Sequence, residues 1–209
     1  MIVNLDNGLQ YVQATERFIS GDDINVWRTQ VSSYINKEIR KGNDFTIKTI
    51  DGDELTITKE TARKTRDNRV KNPDGTYREM TKEEFRTKLN AEVHINELAE
   101  ISKKTNRQTI PDMKNHSFAK DGFDYRRTYF RDFDGRYYRV TLSIGKNGDL
   151  NTVYNVGKIK TDTPTGSRII SALSGSKAVD VSVDNNVPQS GGNVKSQKQD
   201  SADEVVALQ

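Results

Sequence analysis

Residues Tyr125–Lys160 read YRRTYFRDFDGRYYRVTLSIGKNGDLNTVYNVGKIK, and the fold is decided here. From Arg136 to Gly145, Tyr138, Val140, Leu142 and Ile144 alternate with Tyr137, Arg139, Thr141 and Ser143. A period of two gives a strand one apolar and one polar face. Asp134-Gly135 and Asn147-Gly148 flank it, and both dipeptides supply the positive φ of tight hairpin turns. The stretch therefore predicts a three-stranded antiparallel meander over Tyr125–Asp132, Arg136–Gly145 and Leu150–Ile159. Its polar face, rich in arginine and tyrosine, suggests a surface for a polyanion.

Upstream, Thr81 and Glu84 form a capping box, with Met80 and Phe85 at the staple positions. They predict a helix from Lys82 to about Lys103. Phe85, Leu89 and Val93 mark one stripe of it. Ala91, Leu98 and Ile101 mark another, which also contains His94. Before this helix, Lys59–Tyr77 reads as a basic loop with a short helix allowed after Thr58, either solvated or in contact with nucleic acid. Phe45, Ile47, Leu55 and Ile57 around Asp51-Gly52-Asp53 predict a β-hairpin. Ile24, Trp27, Val31, Tyr34, Ile35 and Ile39 predict a helix N-capped by Ser20 and closed at Arg40-Lys41-Gly42. Leu9–Ile19 reads as a short strand or extended arm.

Downstream the composition changes. Gly, Ser, Asp, Asn and Gln dominate after Thr161, so residues 162–209 are expected to form a disordered tail. The expected fold class is α+β: two helices packed on an antiparallel sheet with the C-terminal meander, in a single domain over residues 1–161. Its two parts are 1–75, a helix plus hairpin, and 76–161, a helix plus meander. With only 33% hydrophobic and 30% charged residues, the chain is too polar to fold along its whole length.

The sequence has no cysteine, which excludes thiolate chemistry and Cys-based metal sites. No metal or cofactor is expected, since the two histidines have no carboxylates at ligand spacing. No apolar run approaches a membrane span, and a cytoplasmic protein is the simplest expectation. There is no nucleophile elbow, phosphate-binding Gly-rich loop, dinucleotide fingerprint or zinc-protease helix. Metal-free RNA cleavage needs none of these. It takes a base, an acid and cations around the phosphorane. His94 and His116 are the side chains that titrate near neutrality. His94 reads either as an acid–base group or as a core-edge histidine, and His116 as an acid–base group or a turn cap. Arg126, Arg127, Arg131, Arg136 and Arg139, with tyrosines such as Tyr129 and Tyr154, could supply phosphate clamps and stacking faces.

The run His116-Ser117-Phe118, Asp121-Gly122-Phe123, Tyr125-Arg126, Tyr129-Phe130, Asp132-Phe133-Asp134-Gly135, Tyr137-Tyr138 resembles a domain of large polyvalent proteins of phages and mobile elements. So do Thr141–Gly145, Asn147-Gly148 and Val153–Lys158. Related domains are placed in a superfamily of metal-free RNases that includes barnase, EndoU, colicin RNases and RelE toxins, whose helices pack on an antiparallel sheet that works from its open face. The resemblance implies His94, Arg127, Arg139, Ser143 and Tyr154 as catalytic counterparts, with His116 a further candidate. RNA would be held by Arg126, Tyr129, Arg131 and Arg136. The implied function is RNA binding and metal-independent cleavage in the host cytoplasm. The alternative is a noncatalytic module that binds a host or virion protein.

Overall fold

The computed structural model describes residues 1–71, 76–108, 122–145 and 147–175. The strands are β1 (Ile2–Asn4), β2 (Gln10–Gln13), β3 (Phe45–Lys48), β4 (Glu54–Ile57), β5 (Arg69–Lys71), β6 (Tyr77–Glu79), β7 (Lys103–Gln108), β8 (Phe123–Arg131), β9 (Tyr137–Gly145) and β10 (Asp149–Lys158). The helices are α1 (Ile24–Tyr34), continued by a π-helical turn at Ile35–Ile39, then α2 (Lys59–Lys64), α3 (Lys82–Glu92), α4 (Ile95–Glu100) and α5 (Pro164–Leu173). The meander is β8–β9–β10, in unbroken antiparallel register from Phe123↔Gly145 to Arg131↔Tyr137 between its first two strands.

The sheet grows from the meander in both directions, in the order β1-β2-β8-β9-β10-β4-β3, and β7 pairs with β8 beside β2. Two junctions, β10–β4 and β2–β8, are parallel, so the sheet is mixed where the sequence suggested a purely antiparallel one. Both involve only two residue pairs. Hydrophobic periodicity fixes which face a strand buries but not the direction of its neighbour, which explains the difference.

Alternation sorts the meander as expected. Phe130, Tyr138, Val140, Leu142, Ile144, Leu150 and Val153 join Trp27, Val31, Phe85, Leu89, Ile95 and Leu98 in one core between the sheet and the helices. The opposite, outer face carries two smaller clusters. Tyr11, Ile169 and Leu173 gather Tyr129, Tyr137 and Ile159, while Phe123 and Tyr125 gather Tyr154.

Several boundaries differ from the sequence reading, each for a local reason. Asp23, not Ser20, caps α1: its side chain accepts from the backbone N–H groups of Asn25 and Val26. The Thr81–Glu84 capping box is present, but the long helix it opens breaks at Val93-His94. His94 has φ −107° and ψ 21° and starts a separate helix, α4. The break redirects the second apolar stripe, so that Ile95, Leu98 and Ala99 are buried. The chain is already extended at Lys103, where β7 pairs Lys103 and Lys104 with Arg127 and Arg126.

Within the basic stretch, α2 has its own capping box between Thr58 and Thr61, and β5–β6 form a two-stranded ribbon. Part of the segment expected to be disordered is helical. Thr163 caps α5 and Pro164 occupies its first turn, where proline's missing N–H costs nothing. Ile169 and Leu173, at i and i+4, then cover Tyr11 and Tyr137. The sparse apolar residues of this segment hid a helix because only one stripe of it is buried. The expected tail beyond residue 175 lies outside the described residues.

Candidate functional site: the outer face of the meander

Residues facing away from the helices on β8 are Phe123, Tyr125, Arg127, Tyr129 and Arg131, and on β9 Tyr137, Arg139, Thr141 and Ser143, by strict alternation from the core positions. Arg127 stands opposite Thr141, Tyr129 opposite Arg139 and Tyr125 opposite Ser143. Arg127 and Arg139 are thus diagonal neighbours, close enough for two guanidinium groups to share one anion. Tyr154 joins them from β10, its ring edge-on to Tyr125 with centroids 5.1 Å apart. The helix α5 covers the other end of this face, where the hydroxyl of Tyr137 donates to the carbonyl of Leu173 at 3.3 Å.

The state of Arg127 gives this face its chemistry. Its Nε is shielded from solvent and has no hydrogen-bond partner. Arg28, Arg40 and Arg86 also have an unpaired Nε, but their guanidinium groups bond elsewhere: Arg28 to Asn25, Arg40 to Asn36 and Asp44, Arg86 to Gly21 and Asp22. Among the described residues Arg127 has no hydrogen bond or ion pair of this kind. A half-buried guanidinium without a carboxylate is a costly arrangement that an incoming anion relieves.

Ser143 is buried at 2% exposure and its Oγ accepts a 3.0 Å hydrogen bond from Nδ2 of Asn151. Asn151 was not singled out by the sequence. A signal existed: Leu150, Val153 and Val156 are spaced by three rather than two, and the register with β9 shifts between Leu150 and Thr152 and again between Val153 and Asn155. Such bulges re-aim side chains, and they are frequent beside binding sites.

The structure brings Arg127, Arg139, Ser143 and Tyr154 onto one face and leaves His94 on the other. The imidazole of His94 packs against Phe130 on the helix side, with ring centroids 5.8 Å apart. Its Nδ1 lies 2.8 Å from a carboxylate oxygen of Glu97. Burial works against ionisation of Glu97, but hydrogen bonds from His94 and the N-terminal amine outweigh it and hold the carboxyl below its usual range. His116 lies outside the described residues.

The expected RNA contacts also separate. Arg126 points inward and is 2% exposed. It donates from Nε to Ser102 Oγ (3.0 Å), from one terminal nitrogen to Asp53 (2.6 Å), and from the other to the carbonyl of Ser102 (2.8 Å) and to Asp51. It is a structural clasp, and its place in an alternating strand beside Arg127 decides that. Arg131 is on the outer face but bonds Gln13 and the carbonyl of Gly135 and stacks on Tyr137. Tyr129 packs in the α5 cluster. Arg136, at the turn, is half-exposed and 4.0 Å from Glu83.

Among the described residues no group of three or more histidines and carboxylates is placed to hold a metal ion, and no helix is long and apolar enough to cross a membrane. No family model matches this sequence, and no curated protein or solved structure shows significant similarity to it.

Proposed function

We propose that the outer face of β8–β10 binds RNA, with Arg127 and Arg139 on the phosphates and Tyr154 offering an aromatic surface to a base. The shielded, unpaired Nε of Arg127 carries this reading, because an arginine so placed is a ready phosphate ligand. Phosphate binding by two cations makes affinity fall with salt, at roughly 0.7 units of log K per log unit of salt for each neutralised single-strand phosphate.

Cleavage is a second reading, favoured by the convergence of Arg127, Arg139, Ser143 and Tyr154. In metal-independent cleavage the ribose 2′-oxygen attacks the adjacent phosphorus, a base takes the 2′ proton, and an acid protonates the departing 5′-oxygen. The products are a 2′,3′-cyclic phosphate and a free 5′-hydroxyl. Arginines stabilise the phosphorane, and a tyrosine hydroxyl can carry a proton. His94, held by Glu97 across the sheet, has no part in that scheme. Protein binding, the other expectation, has weaker support. The exposed large apolar side chains Val26, Phe45, Ile50, Tyr77 and Phe133 are spread over separate segments rather than forming one long apolar element.

The test is fluorescence anisotropy with a labelled RNA twenty-mer in EDTA, with gel analysis of the same samples. Arg127→Ala is expected to weaken binding at least five-fold and flatten the salt dependence by about one phosphate, while His94→Ala leaves affinity unchanged. Products ending in a cyclic phosphate, lost in Tyr154→Phe, establish cleavage. Equal affinity of wild type and Arg127→Ala overturns the assignment of the face.

A further inference from the structure

The Ser143–Asn151 pair is left unexplained by phosphate binding. Asn151 spends its amide N–H on Ser143, and its Oδ1 is buried without a partner. Fixing the amide by one bond leaves the carbonyl oxygen held in a defined direction, which is how a side chain is pre-set to accept from a ligand. The Ser143 hydroxyl accepts from Asn151, so its own proton remains to be donated. An acceptor and a donor therefore lie side by side in a shielded part of the outer face. Ser143 is also directly opposite Tyr125 in the ladder, and Tyr125 carries the ring of Tyr154.

These groups differ in kind from Arg127. A phosphate offers acceptors only, so it can satisfy the guanidinium but not the Asn151 carbonyl, which needs an N–H or O–H. The ligand that meets both must carry an anionic group and, a short distance away, a planar edge with a donor beside an acceptor. A nucleotide has that composition: the base edge presents amino or imino hydrogens next to ring nitrogens or carbonyls, and its face stacks on an aromatic ring. Asn151, next after the inward Leu150, faces outward by alternation, and the bulge beside it adds Thr152, which bonds Glu92 on the helix side, before the next inward position at Val153.

We infer that Asn151, oriented by Ser143, reads the base edge of the nucleotide whose phosphate Arg127 holds. The inference rests on the RNA-binding reading of the face and adds to it a base preference. It assigns affinity and selectivity to different residues. Arg127 contributes to every sequence alike, whereas Asn151 contributes only where a base supplies the matching donor.

The experiment measures dissociation constants of the full chain for labelled ten-nucleotide oligo(A), oligo(C) and oligo(U). Wild type is expected to separate the best from the worst of the three by roughly ten-fold, the scale of one or two neutral hydrogen bonds in a shielded site. Asn151→Ala should bring the three within about two-fold of one another by weakening the best alone, while Arg127→Ala weakens all three by a common factor. Ser143→Ala is the second variant. It keeps the carbonyl of Asn151 but releases its orientation, and should lower the preference part way, at a melting temperature that reports whether the fold is intact. Wild type that binds all three equally, or variants at Asn151 and Ser143 that keep the full preference, overturns the inference and leaves the RNA-binding face standing. Wild type that binds none of them removes the face's assignment and the inference together.

Discussion

Arg126 offers the sharpest test of how the sheet is held together. Its side chain ties β8 to the β3–β4 turn through Asp51 and Asp53, and to Ser102 at the start of β7. Arg126→Met keeps the aliphatic length and removes every donor. The carbonyl of Ser102 then loses its charged partner in a buried position, which costs about 1–3 kcal/mol. The two carboxylates are 36% and 51% exposed and can rehydrate, so each contributes no more than about 0.5–1 kcal/mol. Ser102 Oγ is partly spared, because it still donates to the carbonyl of Ala99 at 2.8 Å. Adding these and crediting the methionine with some apolar burial gives about 3 kcal/mol. For a domain of this size that is a fall of about 6–12 °C in melting temperature. Urea unfolding of Arg126→Met and of Asp51→Asn/Asp53→Asn, alone and combined, would show the coupling as a loss in the triple variant well short of the sum. A loss under 1 kcal/mol for Arg126→Met, or strict additivity, would refute the clasp. Acid offers an independent check. Burial opposes ionisation of Asp51, but hydrogen bonds from Thr49, Arg126 and the Lys104 amide prevail and hold its carboxyl below the usual range. Its contribution is therefore present above the ordinary carboxylate range and fades as pH falls through it.

Two further outcomes follow from buried groups. Glu92 is fully buried beside Lys88, at 3.7 Å, and accepts from Thr152. Burial pushes its carboxyl up, against the pull of Lys88, so protonation is more favourable in the folded than in the unfolded chain, and the stability this gives is present at low pH and lost as pH rises. Lys88→Met alone is expected to cost about 3–5 kcal/mol by stranding Glu92, and Lys88→Met/Glu92→Leu to recover most of it and flatten the alkaline side of the stability profile. Denaturation midpoints between pH 5 and 9 decide, and a double variant no better than the single one would count against the argument. For α5, Leu173→Ala empties a fully buried position against Tyr11 and Tyr137. It should cost about 2–3 kcal/mol or release the helix locally, whichever is less. Hydrogen exchange of the Ile170–Ser174 amides distinguishes this from an unchanged protein, which would mean that α5 packs on nothing.

The meander was legible because its alternation and its two X-Gly turns are local properties, and Tyr138, Val140 and Leu142 lie inside as their period requires. The capping box at Thr81 was equally local. What escaped the sequence depended on distant partners. Arg126 and Arg127 are adjacent, chemically identical and indistinguishable in composition, yet one is a buried clasp and the other a face residue, because consecutive strand residues point to opposite sides. His94 was correctly seen on an apolar stripe, but the helix break at that residue turns it toward Phe130 and Glu97. The α5 segment has the composition of a tail, and only the rings of Tyr11 and Tyr137 give Ile169 and Leu173 somewhere to go. The bulges in β10 left a spacing of three as their trace in the sequence.

The two parallel junctions and the α5 cap also set the order in which the chain can be completed. Gln13 and Arg131, bonded across the β2–β8 junction, are 118 residues apart, and Asn7 donates to the carbonyl of Ala172 across 165. A ribosome adding ~5–20 residues per second leaves the β2 edge without its neighbour for roughly 6–24 s, and the outer side of Tyr11 bare for longer. During that interval the edge of β2 that pairs with β8 has no strand beside it. Slowing translation between β2 and β8 should therefore lower the yield of folded protein, whereas the same pause placed after Leu173 has left the exit tunnel should not.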